Sequence, residues 1–394
     1  MRTASRILLT VINDKSYFER HRAHVVEAAS SAGWQSLVGM PFVKSADLIP
    51  PREWCRIDLR AGKIAPLDDA KALYQVTDLI FREKPDLVHA ITLKAIAVTV
   101  IALRLYRART GICIPLVATF PGLGYTFMKL PSPTLRSEIR QFLAKTACRA
   151  AATWPYIWAT FETEYDRAQI VKNFVIPFDR TTVIKGTGLD IETFNGPEKK
   201  NDEPFALLFA GRLLRSKGVS AFLDAANLPG ASQFRWLVAG WHYESPDALS
   251  AEEVSALKCS PNVEFLGNVS DMPSLLNKTH ALVMPSTYPE GIPRILIEAA
   301  AASVPMITTD FPGARELVRN GETGLIIKEA TGAAILHAAQ SLAILSDRGR
   351  EMGSRARELV SSGGFDSKSV QNKFLSIFDA AMHDRPFSSG VLPP

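Results

Sequence analysis

Two basic residues five positions apart follow a short apolar run in the second half of the chain. The segment reads FAGRLLRSKG over residues 209–218 and places Arg212 and Lys217 directly after that run. An Arg fork and a Lys ammonium suit a diphosphate, because they can share its charge near the positive end of a following helix. The alternative is a solvated loop in which Arg212, Arg215 and Lys217 have no ligand.

Two carboxylates lie in a second segment, PSTYPEGIPRILIE, over residues 285–298. Pro293 marks the start of a helix, since proline is favoured at the first helical position. Glu290 then precedes the helix, and Glu298 lies roughly one and a half turns inside it at about 3.6 residues per turn. Backbone N–H groups at a helix start can hold a phosphate. The alternative is a helix with one acidic residue that complements the dipole and a second that forms a surface pair.

Glycines mark two further loops of possible function. FLGNVS, residues 265–270, ends a predicted strand whose exposed backbone could pair with the edge of a base. KGTGLDIETF, residues 185–194, precedes a segment rich in charge and turn formers. Glycines at strand ends also form ordinary turns, so each loop alone is weak evidence for a site.

These loops belong to elements that alternate between strand and helix along 394 residues, a length that predicts two domains. Such alternation indicates an α/β fold with two doubly wound parallel sheets, in which ligands bind beyond the carboxyl ends of the strands. We place an N-terminal domain at residues 1–195, a second domain at 204–365, and a C-terminal helix and tail at 366–394 that can pack back on the first domain. The predicted strands are residues 7–12, 36–42, 87–91, 114–120, 182–185, 206–210, 236–239, 263–266, 281–285, 306–309 and 325–327.

The four cysteines do not form a pattern typical of a metal site or of a disulfide framework. Cys55, Cys113, Cys148 and Cys259 lie far apart, which favours a reducing compartment. We expect no metal site, no export signal and no membrane-spanning helix, because the apolar N-terminal run is too short and the run at 110–128 is interrupted by Pro and Gly.

The motifs in their order resemble glycosyltransferase family 4, the retaining nucleotide-sugar enzymes of the GT-B fold. The similarity lies in GTGLDIETF, LLFAGRLLRSKG, VEFLGNV and YPEGIPRILIEAAAASVPMITTDFPGARELVRNGETGLII. KPDLVHAITLKA and VATFPGLGYTF extend it to the subgroup that builds bacterial polysaccharides, among them lipopolysaccharide and exopolysaccharide, on lipid-linked acceptors. The resemblance implies two Rossmann-like domains that face each other across a cleft.

The resemblance also implies a role for each motif residue. Arg212 and Lys217 would bind the donor diphosphate, Glu298 the ribose hydroxyls and Glu290 the donor sugar. Gly291 and Ile292 would bring backbone amides to that sugar. Arg212, Lys217 and Glu290 are the expected catalytic residues, with neither metal nor cofactor. The expected donor-binding set is Gly211, Arg212, Lys217, Asn268, Val269, Glu290, Gly291, Ile292, Pro293 and Glu298.

The acceptor side matches the family less closely. His89 corresponds to the first of two histidines found in many members, and Ile91 stands where the second is found. Thr92 and Lys94 are the substitutes. The alternative for His89 is a core position. In the first loop, Asn13, His21 and Arg22 could contact an acceptor pyrophosphate, although His21 and His24 could equally share a helix face.

Charge is unevenly distributed. Residues 101–150 contain eight basic residues and one acidic residue. Within them, Thr134 to Ala152 forms a basic amphipathic helix with Arg136, Arg140, Lys145 and Arg149, and we expect it to lie on an anionic membrane surface. Solvated basic helix faces in soluble domains are the alternative. Nucleic acid is not an expected partner, because the basic segment lacks interleaved aromatics and the second half is net acidic.

The sequence therefore predicts a retaining glycosyltransferase, hexosyl or N-acetylhexosaminyl. It would move a sugar from a nucleotide-diphosphate sugar to a saccharide acceptor carried on polyprenyl diphosphate, in the cytoplasm and peripheral at the inner face of the cell membrane. Two alternatives remain: a nucleotide-sugar epimerase or hydrolase of the same fold, and a non-catalytic subunit that binds nucleotide sugar.

Overall fold

The computed structural model describes residues 6–42, 53–60, 65–124, 134–174, 176–194, 204–242, 247–344 and 346–383. The chain divides into two compact units. The first unit comprises Met1–Gly188 and Ser367–Pro394, and the second comprises Leu189–Asp366.

The first unit is built on a seven-stranded parallel sheet with the order β3-β2-β1-β4-β5-β6-β7. Its strands are β1 (Arg6–Ile12), β2 (Trp34–Met40), β3 (Trp54–Arg56), β4 (Leu87–Ile91), β5 (Leu116–Phe120), β6 (Ile157–Phe161) and β7 (Thr181–Val183). Its helices are α1 (Lys15–His21), α2 (Ala23–Ser31), α3 (Pro66–Glu83), α4 (Leu93–Thr110), α5 (Leu135–Ala152), α6 (Glu164–Phe174) and α14 (Ser367–Met382). The four central strands β1, β4, β5 and β6 are almost wholly buried, as expected for a parallel sheet covered by helices on both faces.

The second unit is built on a six-stranded parallel sheet with the order β10-β9-β8-β11-β12-β13. Its strands are β8 (Phe205–Arg212), β9 (Phe234–Trp241), β10 (Glu264–Gly267), β11 (Ala281–Met284), β12 (Met306–Thr309) and β13 (Gly324–Ile327). Its helices are α7 (Val219–Ala226), α8 (Ala251–Lys258), α9 (Met272–Asn277), α10 (Arg294–Ala301), α11 (Pro312–Arg315), α12 (Gly332–Ile344) and α13 (Ser346–Ser362). Both units are therefore α/β and doubly wound, and the predicted fold class is confirmed.

The division between the units falls before the charged linker that the sequence predicts as the boundary. Leu189, Ile191 and Phe194 are buried in the core of the second unit. The Leu189 N–H donates to the Phe365 carbonyl at 3.0 Å, which pairs the two segments at which the second unit begins and ends. Residues 195–203 of the predicted linker lie outside the described residues.

The last helix, α14, packs on the first sheet. Its apolar residues Val370, Phe374, Ile377 and Phe378 are buried in one cluster with Leu8, Trp34, Val117 and Trp158, among others. The helical spacing of these residues in the sequence is the reason that one whole face of α14 can be covered.

Candidate active site

The strand order of each sheet reverses at one place, and ligands of doubly wound sheets bind at such a switch point. In the second unit the switch point lies between β8 and β11, which are paired through Ala281 and Leu207. The loops that follow these two strands are the two segments, 209–218 and 285–298, that the sequence singles out. The structure therefore brings both to the same edge of one sheet.

The two loops are locked together by their backbones. Gly218 has φ +82°, and a Cβ there would lie 2.3 Å from the Pro285 carbonyl oxygen, so only glycine allows this approach. The Thr287 N–H donates to the Ser216 carbonyl oxygen at 2.8 Å. A change in one loop is therefore transmitted to the other.

Lys217 and Glu290 are in direct contact across the two loops. The Lys217 Nζ contacts the Glu290 Oε2, and the two side chains are only 14% and 12% exposed. The Ser286 hydroxyl donates to the Glu290 Oε1 at 2.9 Å. A carboxylate has about four acceptor positions, so Glu290 keeps capacity for ligand hydroxyls beside its contacts with Lys217 and Ser286.

Helix α10 begins at Arg294, four residues after Glu290, with Pro293 as its N-cap. Gly291, Ile292 and Pro293 are buried, and the helix N-terminus, the positive end of its dipole, lies beside this loop. A Cβ at Gly313 would lie 1.7 Å from the Gly291 carbonyl oxygen, so the backbone at the start of α11 is in close contact with the 290–293 loop.

Glu298 lies inside α10, where Arg294 Nε donates to its Oε1 at 2.7 Å. Burial raises the pKa of the Glu298 carboxyl, and the charge and hydrogen bond of Arg294 oppose that rise. Glu298 is 12% exposed and Arg294 34% exposed. The Glu298 carboxylate is thus placed to accept hydrogen bonds from ligand hydroxyl groups.

The remaining expected donor residues also follow strand ends of this sheet. Gly211 and Arg212 are the last two residues of β8 and are partly exposed. Asn268 is exposed directly after β10, whereas Val269 packs against the apolar core. Arg215 differs from its neighbour Lys217, because it forms an exposed ion pair with Glu253 at 2.7 Å.

Sequence reasoning did not single out Ser286 or Arg294. Arg294 could have been found from its four-residue spacing to Glu298 on a helix. Ser286 carries no such signal, because only the folded loops show that its hydroxyl reaches Glu290.

In the first unit the switch point lies between β1 and β4, and two expected acceptor residues flank it. The Thr92 hydroxyl donates to the Asn13 Oδ1 at 2.9 Å. Thr92 has φ +83° and ψ +151°, a region that is strained for a β-branched residue and that recurs at functional sites.

Arg22 is internal, not a surface cation. It is 1% exposed, and its Nη2 lies 3.2 Å from the Glu162 Oε1 in a buried ion pair. Arg22 is therefore held inside the unit by this ion pair, and the contact with an acceptor pyrophosphate that the sequence suggests stays a prediction. The ring of His21, the adjacent residue, packs against Tyr17 at a tilt of 57°, with ring centroids 4.6 Å apart.

His89 is buried in the first unit; the sequence leaves open both a core position and an acceptor contact, and the acceptor contact stays a prediction. It is 1% exposed, its Nε2 lies 2.8 Å from the Thr119 Oγ1, and its ring packs against Phe374 and Phe378 of α14. Burial lowers the pKa of His89 to about 3, with a smaller contribution from Arg22. The ring is therefore neutral at ordinary pH.

Lys94 forms an ion pair and a hydrogen bond within the first unit. Its Nζ lies 2.6 Å from the Asp69 Oδ1 and donates to the Arg60 carbonyl oxygen at 3.0 Å. Of the six residues expected on the acceptor side, the structure thus brings Asn13 and Thr92 together at the switch point of the first sheet.

The residues that the structure describes contain no group of three or more His, Cys, Asp or Glu that could hold a metal ion. Among the helices that the structure describes, none has the length and apolar character required to cross a bilayer.

The second unit matches a known family. Residues 190–359 match the model of the glycosyl transferases group 1 family. Among curated relatives, the capsular polysaccharide biosynthesis glycosyltransferase CapM of Staphylococcus aureus is 26% identical over 79% of this chain and 79% of its own length. The N,N'-diacetylbacillosaminyl-diphospho-undecaprenol alpha-1,3-N-acetylgalactosaminyltransferase of Campylobacter jejuni is 26% identical over 54% of this chain, which spans 57% of that relative.

Solved structures share the fold of the whole chain. Sucrose-phosphate synthase from Thermosynechococcus elongatus superposes with a TM-score of 0.77 at 18% identity, over 96% of this chain and all of that one. HepE from Anabaena in complex with UDP superposes with a TM-score of 0.70 at 19% identity, over 95% of this chain and all of that one. At these identities the likeness establishes the fold, two Rossmann-like domains of the GT-B class.

Proposed function

We propose that this chain is a glycosyltransferase whose second unit binds a nucleoside diphosphate sugar at the β8–β11 switch point, since residues 190–359 match the glycosyl transferases group 1 family. We propose further that it passes a hexosyl or N-acetylhexosaminyl group to a lipid-linked saccharide. The observation that carries the proposal is the contact of Lys217 with Glu290 beside the start of α10.

The chemistry of the leaving group explains why these residues belong together. Negative charge builds on the diphosphate as the bond between the sugar C1 and the phosphate oxygen breaks. Lys217, Arg212 and the N-terminus of α10 would stabilise that charge in place, which is the largest single source of catalysis in many enzymes. This arrangement supplies charge stabilisation from the protein's own groups.

Glu290 and Glu298 would hold the two ends of the donor. Glu290 lies in the loop beside Lys217 and would accept hydrogen bonds from hydroxyl groups of the sugar. Glu298 lies within α10 and would accept hydrogen bonds from the ribose hydroxyls. We propose retention of the anomeric configuration. The acceptor oxygen would attack C1 from the face that the diphosphate leaves, and its proton would pass to the departing phosphate oxygen.

The acceptor class is supported by the relatives. The Campylobacter relative carries diphospho-undecaprenol in its name, and the Staphylococcus relative is a capsular polysaccharide enzyme. A saccharide on a polyprenyl diphosphate is therefore the acceptor class proposed here, with polysaccharide assembly as its setting.

The test is acceptor-dependent release of nucleoside diphosphate. The purified full chain is incubated with a panel of UDP-, GDP- and ADP-sugars, with and without a saccharide on undecaprenyl diphosphate. Release that requires both substrates supports the proposal. Release without acceptor would indicate a hydrolase, interconversion of the donor sugar without release an epimerase, and binding of a nucleotide sugar without any turnover a non-catalytic subunit.

We propose, in addition, that α5 docks the protein on an anionic bilayer, at the inner face of the cell membrane. Four large apolar side chains on α5 are 45–75% exposed at helical spacing: Leu135, Ile139, Phe142 and Leu143. Arg140, Lys145 and Arg149 accompany them on the same helix. Each cation near an anionic surface contributes about 1 kcal/mol, so apolar insertion and charge together give reversible attachment.

Flotation with vesicles tests this docking. The chain should float with vesicles containing anionic lipid and remain behind with neutral ones. Phe142→Ser combined with Leu143→Ser should abolish flotation. Ile344→Ser, which alters an even more exposed apolar residue on α12, should leave flotation unchanged. Equal flotation of all variants would refute a role for α5.

A further inference from the structure

We propose that Ser286 is a positioning residue that aims the Glu290 carboxylate and, through it, the Lys217 ammonium at the donor diphosphate. This inference rests on the proposed function, because it assigns a role within the same site. Ser286 is 2% exposed and lies two residues beyond the end of β11.

The first step is the geometry of one hydroxyl. The Ser286 Oγ lies 2.9 Å from the Glu290 Oε1, 3.1 Å from the Ser216 carbonyl oxygen and 3.3 Å from the Tyr288 carbonyl oxygen. A serine hydroxyl has one proton to donate. The carboxylate is the nearest acceptor and carries the charge, and charge-assisted hydrogen bonds are the stronger ones, so the proton goes to Glu290.

The second step is the rigidity of Ser286 itself. The Thr309 hydroxyl donates to the Ser286 carbonyl oxygen, and the Ser286 N–H donates to the Met284 carbonyl oxygen at 3.0 Å. The Tyr288 N–H lies 3.3 Å from the Ser286 Oγ and can donate to it. Ser286 is thus fixed by the ends of β11 and β12, and it presents its hydroxyl from a rigid support.

The third step is the orientation of Glu290. Its two oxygens have different partners, Ser286 at Oε1 and Lys217 at Oε2. Two donors fix the plane of the carboxylate and leave the remaining lone pairs directed away from both. Without the Ser286 hydroxyl, Glu290 and Lys217 would still pair, but the pair could rotate within a half-buried site, and misplacement of a positioning group reduces turnover.

The experiment is a double-mutant cycle on turnover of the full chain, with the nucleotide sugar and acceptor that give release in the panel assay. Ser286→Ala should lower kcat by about 10- to 100-fold, the range for a hydrogen bond to a charged group, with a smaller effect on the donor KM. In a Glu290→Ala background the same substitution should have no effect beyond about twofold, because the group that Ser286 aims is gone.

Two further variants distinguish loss of the Ser286 hydroxyl from a general effect of altered packing. Ser286→Cys keeps the size of the side chain but replaces the hydroxyl by a weak donor, so it should also lower kcat while it preserves the packing. Thr279→Val removes another buried hydroxyl of the second unit, one that donates to the Leu275 carbonyl oxygen at 2.9 Å away from both loops, and should leave kcat unchanged.

The outcomes separate this inference from the proposed function. A wild type that releases no nucleoside diphosphate overturns the proposed function. An active wild type whose kcat survives both Ser286→Ala and Ser286→Cys overturns the role of Ser286. An equal loss in the presence and absence of Glu290 also overturns it, since Ser286 would then act on the fold and not on the carboxylate.

Discussion

Gly313→Ala is expected to impair catalysis from a position outside both loops of the site. The new Cβ would lie 1.7 Å from the Gly291 carbonyl oxygen and 2.4 Å from the Gly291 carbonyl carbon, whereas real Cβ atoms essentially never approach closer than 3.0 Å. The 290–293 loop must therefore move by about 1.3 Å, the difference between the 3.0 Å limit and the 1.7 Å from the new Cβ to the Gly291 carbonyl oxygen. Because both contacting atoms belong to the backbone, no side-chain rotation relieves the overlap.

The displacement moves Glu290 relative to Lys217, and a shift of about 1 Å at a positioning group can cost roughly 100-fold in rate. We expect kcat to fall by that order, with a cost in stability of about 1–3 kcal/mol from overpacking. The measurement is steady-state release of nucleoside diphosphate, with thermal unfolding recorded in parallel.

Gly349→Ala is the matched control. Gly349 lies within α13, where a new Cβ meets nothing closer than 3.8 Å, so this variant should be fully active and slightly more stable. A Gly313→Ala variant with wild-type kcat and an intact fold would refute the claim that the position of the 290–293 loop controls turnover.

Three further outcomes are expected. Lys217→Ala and Glu290→Ala should each lower kcat by about 100- to 1,000-fold without loss of the fold. Arg215→Ala in the same loop breaks only the exposed pair with Glu253 and should remain active. Equal rates in all three variants would exclude Lys217 and Glu290 from the mechanism. His89 has a folded pKa of about 3 against about 6.5 unfolded, so the unfolded state takes up its proton first and stability falls as the pH drops below about 6.5. His89→Gln should therefore lose about 2 kcal/mol less than wild type between pH 7 and pH 5 in urea denaturation, and identical pH slopes would contradict the assignment. Arg22→Met should destabilise the first unit by about 3–5 kcal/mol, and adding Glu162→Leu should recover part of that loss; a further loss on removal of Glu162 would show that the buried pair is not coupled.

The strands of the second unit could be predicted from sequence because each is a short apolar run bounded by turn residues. All six observed strands overlap the predicted ones, and the loops of interest follow them. In the first unit, β3 and β6 were missed. β3 has three residues, too few for a period to be recognised, and the five-residue IWATF run of β6 is not among the predicted strands although the predicted helix ends before it at Ala152.

The burial of Arg22 and His89 depends on contacts between residues far apart in sequence. Arg22 and Glu162 are separated by 140 positions, so the buried pair that removes Arg22 from the surface has no local signal. His89 is covered by Phe374 and Phe378 of α14, a helix whose packing partner the sequence leaves open. By contrast, Lys217 and Glu290 follow two strands that the topology makes neighbours, and their convergence follows from the general rule for doubly wound sheets.

Nucleotide affinity tests the central claim most directly, namely that the loops after β8 and β11 form one site for a diphosphate. The affinities of matched nucleoside diphosphates and monophosphates are measured by calorimetry for the wild-type chain, Lys217→Ala and Arg215→Ala. We predict a preference for the diphosphate in the wild type and in Arg215→Ala, and its loss in Lys217→Ala. Retention of the full preference by Lys217→Ala would contradict the account.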